Sequence, residues 1–191
     1  AKASFFWYTS NMAVISHDSE TAAHGQQVHT AVAFIHRKMD GVHQLFLAKR
    51  ASTKRFLPDV YELPGGHIDY GEDIVDGLRR EVMEEFAVNV KVGDPFYVYS
   101  YENIVKGSHS IEVAYFAQFI DTEENIKINP EDHSEYGWFT REQVQDMVAE
   151  SRRGVTLLES IKITDDIDHE VLVMLKGFDL LEGKELDFGV A

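Results

Sequence analysis

The chain contains no cysteine. That absence excludes a disulfide-stapled scaffold, a thiolate metal site and a cysteine nucleophile together, and it accords with a reducing cytosol. Long apolar runs are missing too, since nothing approaches the ~18 apolar residues of a membrane span. The opening Phe5-Phe6-Trp7-Tyr8 is apolar but short, and no basic segment leads into a longer apolar one. No signal peptide is therefore expected, and a cytoplasmic location is. Internal repeats, low-complexity tracts and Gly/Ser linkers are also absent. Positive charge is scarce: 18 Lys and Arg stand against 33 Asp and Glu, a formal net of −15. Such a chain gains little from counterion release on nucleic acid, so no nucleic-acid partner is expected. A small anionic substrate would need a local source of positive charge, and most of the carboxylates read as solubilising surface.

What is present suits one domain with an appendage: 191 residues, 44% of them hydrophobic and 12% aromatic. Strand patterning runs from Val28 to His36 and from Val42 to Lys49, with Asp40-Gly41 between them as a hairpin turn signal. A basic run, Lys49 to Arg55, leads through Pro58 to Tyr61-Glu62-Leu63-Pro64-Gly65-Gly66. A helix is predicted from about Asp73 to Phe86. Further strands are predicted over Phe96 to Glu102 and Ser110 to Ile120, around a Lys106-Gly107 turn. Ile111 to Phe116 loses its alternation, as a strand buried on both faces does. Thr140 followed by Gln143 is a capping-box start for another helix after Trp138-Phe139. The tail from about Val155 mixes apolar and acidic residues and reads as further helix on the core. Together these elements make a mixed α/β protein, a small sheet with helices on its faces.

The chemistry concentrates between Gly65 and Val88. On a helix at ~100° per residue, Glu81, Glu84 and Glu85 share one edge, while Val75, Leu78, Val82 and Phe86 form an apolar stripe beside them. Like charges at this spacing repel by a few tenths of a kcal/mol per pair. A divalent cation among them would relieve that, and oxygen-only ligation points to Mg²⁺ or Mn²⁺ rather than zinc or copper. Gly65-Gly66 would let a backbone carbonyl turn toward the ion. Glu72 has a favourable place near the helix start and an ionic partner in Arg80, which could also orient Glu84.

The segment resembles the Nudix box: a glycine, five residues, a glutamate, seven residues, Arg-Glu, an aliphatic residue, any residue, Glu-Glu, any residue, a glycine and an aliphatic residue. Here these are Gly66, Glu72, Arg80, Glu81, Val82, Glu84, Glu85, Ala87 and Val88. Ala87 departs from the pattern, standing where the family has a glycine that closes the helix in a left-handed conformation. Alanine there should cost about 1 kcal/mol.

The resemblance implies an α/β/α sandwich with a mixed β-sheet over residues 25–150, with 1–24 as an N-terminal extension and 151–191 as a C-terminal extension packing on the core. It also implies a hydrolase in which Mg²⁺, or Mn²⁺ in its place, bridges a diphosphate while water attacks phosphorus. Carried over, Glu81, Glu84 and Glu85 would be metal ligands with the Gly65 carbonyl, and Gly66, Glu72 and Arg80 would hold the loop to the helix. Glu81 and Glu84 would also serve catalysis directly, and Glu131 and Glu135 are the later candidates for the general base. Arg50, Lys54 and Arg55 are candidates for a substrate phosphate. His67, inside the box loop, reads as solvated or as support for the site. The expected partner is a small diphosphate compound, with homodimerisation left open.

Two alternatives sit on the same scaffold. An isopentenyl diphosphate isomerase is disfavoured because its chemistry relies on a cysteine. A binding module without catalysis is disfavoured because every box glutamate is present. RNA decapping would call for a basic surface patch, which the net charge opposes.

Overall fold

The computed structural model describes residues 25–103, 105–151, 161–162 and 169–184. The N-terminal extension expected over 1–24 lies outside the described residues. A hairpin opens the described chain: β1 (Gln27–Met39) and β2 (Val42–Arg50) meet at Asp40-Gly41. The φ values there are 51° and 84°, the two positive angles a two-residue turn needs to match the twist of its strands. After it come β3 (Tyr61–Glu62), β4 (Gly65–His67) and α1 (Ile74–Phe86). The chain continues through β5 (Val90–Asn103), β6 (Ser108–Phe119), β7 (His133–Thr140), α2 (Arg141–Ser151), β8 (Ile161–Lys162) and α3 (His169–Leu181).

The strands form one eight-stranded sheet along the path β3-β2-β1-β6-β5-β8, with β4 also paired to β1 and β7 to β2. β1 and β6 run parallel and the other pairs antiparallel, so the sheet is mixed. Alternation along β1 sends Ala31, Ala33 and Ile35 to a core with Leu78, Val82 and Phe86 of α1. Val32 and Phe34 face the opposite way, onto Val144 of α2 and Val173, Met174 and Phe178 of α3. Helices therefore cover both faces, giving the expected α/β/α sandwich. No helix among the described residues is long and apolar enough to cross a membrane.

Two strands differ from the sequence expectation. β5 begins at Val90, earlier than Phe96, because Val90, Lys91 and Val92 pair with Phe119, Gln118 and Ala117. The register shifts between Val92 and Tyr97 interrupt the pattern there, which hid the earlier half. The stretch before Trp138, for which the sequence reading named no strand, is strand β7 from His133 onward, paired with β2; its outward polar side chains concealed it.

The helix ends follow local chemistry. Asp73 caps α1, its carboxylate accepting from the Val75 N–H at 2.9 Å and the Asp76 N–H at 3.3 Å. At the far end Ala87 is left-handed (φ 56°, ψ 32°) and donates its N–H to the Met83 carbonyl at 2.9 Å. Thr140 and Gln143 exchange hydrogen bonds as a capping box at the start of α2.

Candidate active site

β4 brings the box loop to β1: Val32 pairs with Gly65, Ala31 with Gly66 and Thr30 with His67. Gly65 has φ 144°, and a Cβ there would fall 2.2 Å from the Ala31 carbonyl oxygen, so only glycine fits between the two strands. At Gly66 a Cβ would lie 2.6 Å from Glu81 Oε2. The missing side chain is what lets the Glu81 carboxylate approach the loop.

Arg80 stitches loop to helix. It donates to Glu72 at 3.0 Å through Nε and Nη2, to the His67 carbonyl at 2.9 Å, to Glu81 at 2.9 Å and to Glu84 at 3.2 Å. Glu72 also accepts the Asp69 N–H at 3.1 Å. The Arg80 bond, the strongest influence on it, holds the Glu72 carboxyl below its ordinary range. The Nζ of Lys106, a buried residue of the β5–β6 turn, lies 3.0 Å from Nε2 of His67.

The three helix glutamates do not share one environment. Glu85 is buried at 8% exposure beside the apolar stripe, Glu81 is mostly covered, and the Glu84 side chain is 58% exposed. Burial pushes the Glu85 carboxyl well up; the charges of Glu62, Glu81 and Asp132 add to this, and the Gly65 N–H donating at 3.1 Å only partly offsets it. Glu81 is pushed up by burial, with Glu84 and Asp132 contributing and Arg80 opposing.

Among the described residues, no three His, Asp or Glu side chains stand together as a ready metal cage; Arg80 draws Glu81 and Glu84 to itself. The donor set nonetheless fits a hard divalent cation. It is carboxylate and carbonyl oxygen throughout, and two of its carboxyls lie where burial and like charge disfavour ionisation until something positive arrives.

The basic run is largely spent on internal pairing. Arg50 forms a two-pronged pair with Glu62 at 2.9 and 2.8 Å and donates from Nε to the Phe56 carbonyl. Lys54 meets Asp132 at 2.7 Å, and Arg55 is exposed. Of the two expected base candidates, Glu135 sits on β7 against Lys49 at 3.2 Å and the Tyr61 hydroxyl at 2.9 Å. The Tyr61 bond, followed by Lys49, holds it below its ordinary range. Glu131 is exposed in the preceding turn.

Sequence reasoning missed Glu62, Asp132 and His133. Burial works to raise Glu62, but Arg50 and the 3.0 Å contact from His133 prevail and hold it low. His133 is itself buried, stacked on Phe86 with ring centroids 5.1 Å apart. Asp132 is gripped by Lys54 and by Asn129 Nδ2 at 2.6 Å. The Asn129 N–H in turn donates to the Glu85 carbonyl at 2.7 Å. Nothing local in the sequence signals this cluster, because the partners Lys54 and Glu62 lie 78 and 71 residues upstream of Asp132 and His133.

The chain is 35% identical over 83 residues to the m7GpppN-mRNA hydrolase NUDT17 of Danio rerio, a match covering 44% of this chain and 26% of that protein. It is 36% identical over 100 residues to the human NAD-capped RNA hydrolase NUDT12, covering 52% of this chain and 20% of that protein. The chain thus spans about a quarter or less of the length of these relatives. Among solved structures, the MutT protein of Methanosarcina mazei Go1 superposes with a TM-score of 0.59 at 20% identity, covering 84% of this chain and 98% of that one, and so shares the fold. The model of the NUDIX domain matches residues 27–158, more than half of the chain and the whole of the loop, helix and strands just described, and the chain belongs to the Nudix family.

Proposed function

We propose that the chain is a divalent-metal-dependent hydrolase. It cleaves the phosphoanhydride bond of a nucleoside diphosphate derivative, such as a nucleoside triphosphate or an ADP-ribose-like sugar nucleotide, by attack of water on phosphorus. The observation that carries this reading is the pair Glu81 and Glu85, largely covered carboxylates beside Gly65-Gly66, both pushed up by burial, with Arg80 the only cationic side chain paired with either among the described residues. Glu81, Glu84, Glu85 and the Gly65 carbonyl would hold Mg²⁺ or Mn²⁺. When bound, such an ion neutralises diphosphate charge and makes water more acidic.

The chain's own residues do the rest. Arg80 and Glu72 keep the loop fixed against the helix, so the carboxylates are presented from a rigid edge. Glu131, exposed in the turn before β7, and Glu135, bonded to Lys49 and Tyr61, are the candidates to accept the proton of the attacking water. Asp132, held by Lys54 and Asn129, adds its negative charge to the surroundings of Glu81 and Glu85. The names of the two relatives extend the substrate class to nucleotide caps, in which the same kind of anhydride joins two nucleosides; the net charge of −15 opposes contact with the body of an RNA.

The test is a panel of nucleoside triphosphates, ADP-ribose, NAD and dinucleoside polyphosphates incubated with the chain in EDTA and in Mg²⁺, Mn²⁺ or Ca²⁺. Turnover is expected to be absent in chelator, restored by Mg²⁺ or Mn²⁺, and weak with Ca²⁺, whose looser coordination shell aligns phosphates poorly. Full activity in EDTA would remove the metal from the mechanism.

A further inference from the structure

Two polar residues at the β5–β6 turn, Lys106 and Ser108, are buried at 2% and 4% exposure. The turn fixes how Lys106 enters. Its N–H donates to Asn103 Oδ1 at 2.9 Å, and the left-handed Gly107 (φ 68°) donates its N–H to the Asn103 carbonyl at 2.7 Å. With the backbone tied to the strand end, the side chain runs inward and brings Nζ to 3.0 Å from Nε2 of His67. A lysine ammonium has donors only, so His67 accepts it on Nε2 and keeps its own proton on Nδ1.

Ser108 is the stronger sign of a ligand. Its Oγ is buried and has no hydrogen-bond partner among the described residues. Such a hydroxyl has given up water without gaining a bond in exchange, and an acceptor oxygen from a ligand would repair the loss.

Alternation places these groups together. The Thr30 hydroxyl bonds Glu112, so the two share a face of the sheet, and Ser108, four residues before Glu112 on β6, shares it too. Thr30 also pairs with His67, which brings the imidazole to the same side. Gly66, the next residue back, faces Glu81 on the other side. Glu112 itself stands about 13 Å along the strand from Ser108, so its negative charge is remote. The cations nearer the carboxylates are committed elsewhere: Arg80 to Glu72, Glu81 and Glu84, Arg50 to Glu62, and Lys54 to Asp132. His67 lies two residues along β4 from Gly65, about 7 Å from the carbonyl proposed for the metal. A group held there belongs to the same ligand without touching the same ion.

Resting on the hydrolase reading, we propose that Lys106, His67 and Ser108 form an oxyanion pocket for a phosphate group that the substrate carries outside its metal-bound diphosphate. Lys106 supplies the charge, His67 holds the ammonium in place, and the Ser108 hydroxyl donates to the phosphate oxygen. A substrate with such a group is preferred over one whose phosphates end at the diphosphate.

The experiment measures calorimetric affinities in EDTA and in Ca²⁺ for two pairs of probes, ADP against ATP and ADP-ribose against ADP-ribose 2′-phosphate. The proteins are wild type, Lys106→Gln and Ser108→Ala. In wild type at least one pair is expected to show about tenfold tighter binding of its more phosphorylated member. A preference in the first pair makes the group a terminal phosphate, and one in the second makes it a ribose phosphate. Lys106→Gln is expected to abolish the preference and Ser108→Ala to reduce it about threefold. Because Ser108→Ala removes an unpartnered hydroxyl, its melting temperature without ligand should match or exceed that of wild type. A clear fall would show the hydroxyl bonded within the fold and would overturn the pocket. So would affinities within about twofold across both pairs in wild type, or a preference that survives in every variant that folds. Should Lys106→Gln unfold, Ser108→Ala alone decides. Hydrolysis in Mg²⁺ is read separately. Turnover of ADP-ribose without any phosphate preference leaves the hydrolase and removes the pocket, and a preference without turnover does the reverse.

Discussion

Glu62 and Glu85 are two largely buried glutamates, the charge of the first raising the proton affinity of the second, and they are opposites. Glu62 arrives with its counterions: Arg50 holds it by both oxygens and His133 by one, and it is ionised despite its burial. Glu85 has a single backbone N–H and three carboxylates for neighbours, and its proton affinity rises. One glutamate completes a structural ion pair, and the other has no cationic side chain paired with it among the described residues. The lesson is that a buried carboxylate declares its role through what was placed beside it, since residue type and burial are nearly the same in both.

Exchanging each charge for an amide tests the contrast directly. Glu85→Gln keeps the shape and an acceptor for the Gly65 N–H, and it removes the charge of a proposed metal ligand. Activity in saturating Mg²⁺ is expected to fall by about 10²- to 10³-fold, while the melting temperature in EDTA stays level or rises because a carboxylate repulsion is gone. Kinetics and a thermal melt check both halves, and activity within threefold of wild type would end the contrast. Glu62→Gln should behave the other way. It strands the Arg50 guanidinium and is expected to destabilise by about 3 kcal/mol in denaturant titration, near the low edge for a buried pair because the two side chains retain 11% and 18% exposure. Stability within 0.5 kcal/mol of wild type would show that Arg50 is satisfied elsewhere (roughly the surface-substitution range).

The smallest effect is expected where α1 ends. Ala87→Gly relieves about 1 kcal/mol of left-handed strain and adds about 0.4–1 kcal/mol of unfolded-state entropy. Stability should therefore change by less than about 0.5 kcal/mol, and turnover should be unchanged. The substitution sharpens the contrast because Ala87 closes the last turn of α1, the turn whose Glu85 carbonyl accepts the Asn129 N–H. A loss of 1 kcal/mol or more (judged against the same two terms) would mean that the left-handed turn is not what sets the end of the helix beneath Glu85.

Local patterns were enough for much of the architecture. The Asp40-Gly41 hairpin, the Asp73–Phe86 helix and the Thr140–Gln143 capping box all reflect neighbours within a few residues, and each formed where its own sequence placed it. The spacing of Gly66, Glu72, Arg80, Glu81, Glu84 and Glu85 likewise marked the family before any coordinates, because a helix converts spacing into faces. What needed the tertiary structure was every relation that crosses the sheet. Helical geometry grouped Glu84 and Glu85 on one edge, and packing against β1 and β4 buried one and exposed the other. The sequence offered Arg50 and Lys54 as phosphate candidates and could not show their pairing, since the return of the chain at β7 and its preceding turn sets His133 beside Glu62, the partner of Arg50, and Asp132 beside Lys54. Charge and periodicity are properties of short segments and can be read along the chain. Desolvation and counterion pairing depend on which distant segments share a dry space, and only the closed sheet decided that.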